Sequence, residues 1–479
     1  MISLRAFGGR LDAAGFLPPE LEPKRASLAR LVSLFLDRFG SAEREIFAAF
    51  VPGRIEVLGK HTDYAGGHSL LAALDRGYLV LAAGNELGRV RIVEDSVEFE
   101  PVDFPVSAGL EPRRGHWSNY PVTAVKRVAA NFASRELRGM DLVFSSDLAV
   151  GSGMSSSSAL IIMTFAALTA VNGLERSGRF RENVRDGVDL AMYLACVENG
   201  QTFRALEGGK GVGTFGGSED HTSILNARSS CLSLYRFAPT SWRADIAWPE
   251  DWVLAVCFSG VRAEKTREAL EKYNRLSLRS RAAIDGYNSL KGTAFATLRE
   301  LADQGEREGR ARGGAGASGD PVPPEVARVL RDVPAPDEAW DLEGRLRQFC
   351  LEDRLFIPRG VTALVARDGG AFGETISASH EASARFLANI VEEIDWLRRS
   401  AVGHGAWGAS GFGAGFGGSA YAVLPASGAP AFLERWREGY LERFPERDRE
   451  SWFLLTRPAS GLVELSRDRP GRWVDGLFG

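Results

Sequence analysis

Apolar positions along the chain change period several times, and each change marks an element. Leu28, Leu31, Val32, Phe35 and Leu36 recur at helical spacing and predict a helix over 28–39, stopped at Gly40. Short β-rich runs predict strands at 55–58, 78–83, 90–93, 141–144 and 421–424. Residues 118–133 read as a helix entered through Ser118 or Asn119 as N-cap, with Pro121 in its first turn. An apolar helix is predicted over 155–170. An amphipathic one is predicted over 382–400, with Phe386, Ile390, Ile394 and Leu397 on one face. Strands and helices alternate without a regular βαβ repeat, which favours an α+β architecture over a doubly wound sheet.

Composition narrows the class without naming a function. The 479 residues have room for two to four domains, and 44% hydrophobic with 25% charged residues is an ordinary globular balance. A net charge of −4 gives no global attraction to nucleic acid or anionic membranes. The four cysteines, Cys196, Cys231, Cys257 and Cys350, are far apart and argue against a disulfide framework or a zinc site. The N-terminal stretch lacks a secretory apolar core, and no apolar run reaches the ~18 residues of a membrane helix. The expectation is a cytoplasmic protein with neither nucleic-acid nor membrane partners. Residues 306–336, rich in Gly, Pro, Ala and Arg, read as a flexible surface insertion.

Glycine clusters at 53–67, 151–153, 208–217 and 403–418. Such clusters either make tight turns or bring backbone close to a ligand, since no Cβ intervenes. The segment 151–159, Gly-Ser-Gly-Met-Ser-Ser-Ser-Ser-Ala, lies between a predicted strand and a predicted helix start. Unpaired N–H groups and the helix dipole suit polyphosphate there, and the serine hydroxyls suit phosphate oxygens or magnesium. No Lys-Ser/Thr follows the glycines, so this is not a Walker A loop. Lys60, His61, Asp63 and Tyr64 crowd donors and acceptors into one turn after the strand at 55–58. Such a turn could read sugar hydroxyls, or be a solvated loop.

Taken in order, these residues resemble the galactokinase branch of the GHMP small-molecule kinases. Pro52 to Tyr64 is similar to the family's Pro-Gly-Arg-x-Asn-Leu-Ile-Gly-Glu-His-x-Asp-Tyr. Gly153 to Ser157 resembles its Gly-Leu-Ser-Ser-Ser, and Gly408 to Ser419 its third glycine motif. Trp117 to Tyr120, Glu198-Asn199, Tyr273 to Arg275, Phe372-Gly373 and Ser379-His380 supply further likenesses, so the resemblance spans roughly residues 30 to 430. It implies a GHMP kinase fold of two mixed lobes, drawn here as 1–240 and 241–479, with the active site in the cleft between them. ATP with Mg2+ would be the donor and the anomeric hydroxyl of galactose or a related monosaccharide the acceptor. No macromolecular partner is implied, and the chain would be a monomer or weak homodimer.

The resemblance also distributes roles. Gly216 to His221 looks like the family's catalytic segment, making Asp220 the base and Arg54 its charge-stabilising partner. Lys60, His61, Asp63, Gly217 and Tyr273 would contact the sugar. Gly151, Ser152, Gly153, Met154, Ser155, Ser156, Ser157, Gly413 and Gly415 would hold ATP, and Ser157 with Glu198 would hold the metal, Ser156 being an alternative to Ser157. Departures concentrate on the acceptor side: Glu56 stands for the family's Asn, Lys60 for its Glu, and Gly216, Ser218, Glu219 and His221 flank the aspartate. A lysine donates where a glutamate accepts. Either the acceptor is anionic, such as galacturonate or glucuronate, or Lys60 pairs with Glu56 or Glu219. A non-catalytic sugar and ATP sensor is the remaining reading of the resemblance, disfavoured by the presence of Asp220, Arg54 and the serine loop.

Overall fold

The computed structural model describes residues 11, 16, 18–40, 43–96, 98–113, 115–132, 137–262, 267–311, 321–337, 340–467 and 471–478. Thirteen strands occur among them: β1 (Phe47–Leu58), β2 (His68–Asn85), β3 (Arg89–Glu94), β4 (Val102–Pro105), β5 (Gly139–Ser146), β6 (Cys231–Arg236), β7 (Ser241–Ala247), β8 (Trp252–Phe258), β9 (Gly408–Phe412), β10 (Ser419–Pro425), β11 (Trp452–Thr456), β12 (Val463–Glu464) and β13 (Gly471–Arg472). The predicted strands all lie inside these longer ones. β1 is buried along its whole length, so its run carries no alternation, and β2 is nearly so.

One sheet runs β13-β12-β1-β2-β5-β3-β4, with β6 attached to β2 and β7 to β6. The length of β2 makes this possible: residues 68–71 pair with β6, while residues 78–85 pair with β5. The β3–β5 pair is parallel and the others are antiparallel. A second, antiparallel sheet runs β11-β8-β10-β9. A shared apolar core joins the two sheets, with Val57, Leu70 and Ile161 in one cluster with Leu254, Phe372, Phe412 and Tyr421.

A split at residue 240 therefore does not describe the chain. β7 completes the first sheet, and the C-terminal segment returns to it, pairing Ala49 with Glu464 and Phe50 with Val463. Burial of Leu462, Val463 and Leu465 holds the return, a long-range match that no local pattern encodes. The helix predicted over 382–400 is two helices, Gly369–Leu387 and Glu392–Gly403. Ala388 breaks it with a left-handed φ of 52°. Asn389 then turns inward, accepting from Ser383 Oγ at 3.1 Å and donating to Ala414 O at 3.2 Å. The insertion reading of 306–336 is also corrected in part. The helix Leu298–Ala311 enters the segment, and the helix Pro324–Arg331 buries Val326 and Leu330 against Leu301 and Leu346. Residues 312–320 lie outside the described residues.

The remaining helices agree with expectation: Pro18–Phe39 ends at Gly40 (φ 70°), Asn119–Phe132 carries Pro121, and Ser156–Asn172 follows the serine loop. None of the described helices is long and apolar enough to cross a membrane.

Candidate active site

Where β5 hands over to the helix Ser156–Asn172, Gly151, Gly153 and Ser155 take left-handed φ values of 74°, 77° and 60°. The coil they make leads into the helix start, whose first N–H groups have no partner within the helix. The hydroxyls of Ser152 and Ser155 are buried and have no hydrogen-bond partner among the described residues, which is costly unless something else supplies one. Met154 instead faces the core at 1% exposure, while its carbonyl accepts from Arg54 N–H at 3.2 Å. Opposite lies the turn between β9 and β10. Ser419 Oγ donates to Ser152 O at 2.7 Å, and a Cβ on Gly413 would stand 2.6 Å from Gly153 O. A Cβ on Gly415 would likewise stand 2.4 Å from Asn389 O. The two glycine motifs thus meet backbone to backbone, as the sequence order alone could not state.

Arg54, on β1, joins this loop to the carboxyl of Asp220. Its Nη1 donates to Gly153 O at 2.6 Å and its Nε to Asp220 Oδ1 at 2.7 Å. Asp220 lies in the first turn of the helix Glu219–Asn226 and keeps its side chain 34% exposed, whereas the Arg54 side chain is nearly closed off. Asp63 adjoins: a Cβ on Gly217 would stand 2.3 Å from its Oδ2, so glycine is required for the approach. Burial pushes the Asp63 carboxyl up to about 6, the N–H of Tyr64 holds it down, and the Asp220 charge pushes it further up. Tyr273 closes the other flank, its hydroxyl near Gly216 and its ring 6.3 Å from that of His61.

Glu198 and Ser157 were expected to form a metal pair. The Glu198 carboxylate accepts from Ser158 Oγ at 2.7 Å, one residue further along the helix, and His221 Nε2 stands 3.2 Å from the same oxygen. Among the described residues no group of three or more His, Cys, Asp or Glu could hold an ion. One carboxylate with neighbouring serine hydroxyls does suit magnesium, which takes most of its remaining oxygens from phosphates and water.

The other sequence-identified residues belong to a buried polar layer behind the turn. His61 is held neutral, its pKa lowered to about 3 by burial first and the Arg345 charge second. Both ring nitrogens are engaged: Tyr64 OH meets Nδ1 at 2.9 Å, and Nε2 donates to Ala414 O at 3.3 Å. Lys60, 2% exposed, donates to Ser379 Oγ at 2.9 Å, and Ser379 donates in turn to Glu352. Glu352 also accepts from Gly59 N–H at 3.0 Å. Burial raises the Glu56 carboxyl to about 7 against the pull of Lys60 and Arg54, and lifts Glu219 well above the usual range, with the Glu56 charge adding to it. Glu219 accepts from Ser69 Oγ at 2.7 Å. Glu56, Lys60 and Glu219, the three charged departures from the family pattern, therefore share one interior network.

Sequence reasoning did not find Ser158, Tyr64 as the partner of His61, Arg345, Gln348, Glu352 or Asn389. Ser158 stood in the serine run, offset by one. Tyr64 stood three residues from His61 in the turn already singled out. Arg345, Gln348 and Glu352 sit on helical segments far along the chain and Asn389 in the break between two helices, and nothing local marks a buried Arg or Glu as part of a site.

A family model of the galactokinase galactose-binding signature matches residues 33–84; models of the GHMP kinases N-terminal and C-terminal domains match 119–190 and 361–441. The chain is 28% identical over 421 residues to the galactokinase of Chloroflexus aurantiacus, covering 87% of this chain and 93% of that one. To the galactokinase of Dictyostelium discoideum it is 22% identical over 478 residues, covering 89% and 91%. The crystal structure of Lactococcus lactis galactokinase complexed with galactose superposes with a TM-score of 0.72 at 22% identity, over 91% of this chain and 99% of that one. Methanococcus jannaschii mevalonate kinase superposes at 0.51 with 13% identity, over 87% and 99%. At these identities the structural likeness establishes the fold, and the signature at 33–84 sets the branch. The chain belongs to the galactokinase branch of the GHMP kinases.

Proposed function

We propose that this protein transfers the γ-phosphoryl group of ATP to the anomeric hydroxyl of galactose or a closely related neutral monosaccharide. The observation that carries the proposal is Arg54, which links Gly153 O of the serine loop to Asp220 of the acceptor side through hydrogen bonds of 2.6 and 2.7 Å. Transfer of this kind is mostly positioning and charge stabilisation. The anomeric oxygen attacks the γ-phosphorus, the bond to the ADP oxygen breaks, and the hydroxyl proton passes to Asp220 Oδ. Arg54, shared between Asp220 and the loop, offsets charge between the two reactants. Asp63 and Tyr273, flanking Asp220, are suited to orient the sugar; Gly217 lets it approach without a side chain in the way. Gly151, Gly153, Gly413, Gly415, Met154 N–H and the hydroxyls of Ser152, Ser155 and Ser156 are suited to the ATP phosphates. Magnesium, held by Glu198 with Ser157 or Ser158, would neutralise phosphate charge.

A neutral acceptor is favoured over an anionic one because Lys60 is buried and already committed inside the protein, donating to Ser379, whose hydroxyl donates to Glu352. Purified protein with Mg-ATP should release ADP on addition of galactose and not of galacturonate or glucuronate. Asp220→Asn should lower kcat by about 10^2–10^4-fold, the scale of a lost general base. Equal ADP release by wild type and this variant across a panel of neutral sugars rejects the kinase reading. Turnover confined to the uronic acids rejects the neutral acceptor.

A further inference from the structure

The guanidinium of Arg345, on the helix Leu342–Leu351, is completely buried at 0% exposure. Its Nε donates to Ser280 Oγ at 2.9 Å, Nη1 to Gln348 Oε1 at 2.6 Å, and Nη2 to the carbonyl oxygen of His61. No carboxylate lies within ion-pair distance of it among the described residues. A buried cation is ordinarily paired, because removing it from water is costly. This one faces neutral acceptors and the ring of Tyr64, 5.7 Å from its centroid. A second buried guanidinium stands near: Arg279 is pulled down to about 10 by burial and then by the Arg345 charge. One helical turn on, Gln348 Nε2 donates to Lys60 O at 2.8 Å. Two consecutive carbonyls of the acceptor turn, those of Lys60 and His61, are thus gripped from one helix. His61 needs the grip, since its φ of 56° is a left-handed conformation unusual for a residue with a Cβ.

We propose that Arg345 is the positioning residue of the acceptor turn: its guanidinium fork fixes the His61 carbonyl and so sets where Asp63 and Tyr64 stand toward the sugar. Arg345 touches neither substrate nor the reacting atoms in this arrangement. Its second effect is electrostatic. The ring of His61 faces Arg345 from the helix, Lys60 and Arg54 from its own strand and turn, Tyr64, Tyr273, and Asn389 with the Ala414 carbonyl. With three cations among these, the imidazole stays neutral and accepts from Tyr64 OH.

The proposal rests on the acceptor reading above, and its test separates the two. Arg345→Lys keeps the charge and loses the fork; Arg345→Met loses both. In folded Arg345→Lys, checked by circular dichroism and Tm, the KM for galactose should rise about tenfold, the scale of one charge-assisted hydrogen bond, with the KM for ATP unchanged. Histidine-labelled protein, with His61→Asn for assignment, should show the His61 ring neutral down to about pH 4 in wild type. Its titration should move up by about one pH unit in Arg345→Met, as removal of a nearby cation requires. A galactose KM within twofold of wild type, or an equal rise in both KM values, overturns the positioning role. An unmoved His61 titration in folded Arg345→Met overturns the electrostatic one. If wild type turns over no sugar, the proposed function fails while the titration still reports on Arg345.

Discussion

The donor and acceptor sides of the proposed site are built from different materials. On the donor side the loop 151–157 contains no ionisable side chain and is shaped by left-handed turns and close backbone approach. On the acceptor side Glu56, Lys60, Asp63, Glu219, Asp220, Arg345 and Glu352 converge from segments hundreds of residues apart, most of them buried. A polyphosphate brings its own charge, so N–H groups and hydroxyls fixed by local chain geometry suffice to hold it. A neutral sugar must be read by oriented acceptors and donors, and burying those groups requires an outer ring of countercharges and braces. The comparison teaches that sequence change in the outer ring need not mean a change of substrate.

Substitutions can break that comparison, and the largest expected effect is on the ring itself. Lys60→Met removes the cation between Glu56 and Glu352, and the loss of one partner from a buried network costs about 3–5 kcal/mol. Chemical denaturation should show a loss of that size, with galactose still preferred in whatever fraction folds. Unchanged stability together with a changed acceptor would move Lys60 into the sugar pocket. On the donor side Gly413→Ala places a methyl 2.6 Å from Gly153 O at a φ of 76°, a conformation costing about 1–3 kcal/mol. The KM for ATP should rise about tenfold or more and that for galactose hardly at all; a rise in both would mean the two sides are not separable.

Acidity sharpens the contrast with smaller effects. Asp63, lifted to about 6 by burial, is a carboxylate above that pH and an acid below it. The KM for galactose should therefore climb as pH falls from 7 to 5, with the ATP value flat, and Asp63→Asn should abolish the slope. Glu56 titrates near 7 when folded and near its usual value of 4.5 when unfolded. The folded state then holds more protons between these values, so this group's contribution to stability is lost as pH rises through that window. Glu56→Gln should raise Tm at pH 8 and leave it nearly unchanged at pH 5. A lower Tm at pH 8 would show that Lys60 depends on the Glu56 charge.

How legible each side was in the sequence follows from how local it is. The serine loop, Arg54 and Asp220 each sit in a short motif that can be picked out locally, and Arg54 joins the other two by hydrogen bonds. That Ser158 is the serine donating to Glu198 reflects helix phase, which four identical residues cannot signal. The long helix predicted over 382–400 failed because its apolar period continues across Ala388, while Asn389 turns inward to contacts with Ser383 and Ala414. Nothing within the window could report that competition.

By itself the sequence determined, through its motifs and their order, that this is a GHMP-type kinase, and it showed where the glycine turns lie, because those follow from short-range chain geometry. Only the tertiary structure decided that Lys60 is an interior countercharge, that Arg345 grips the acceptor turn, and that the C-terminal strand closes the first sheet. These depend on burial and on partners brought from far along the chain, and the cost of a buried charge has no value until its surroundings exist.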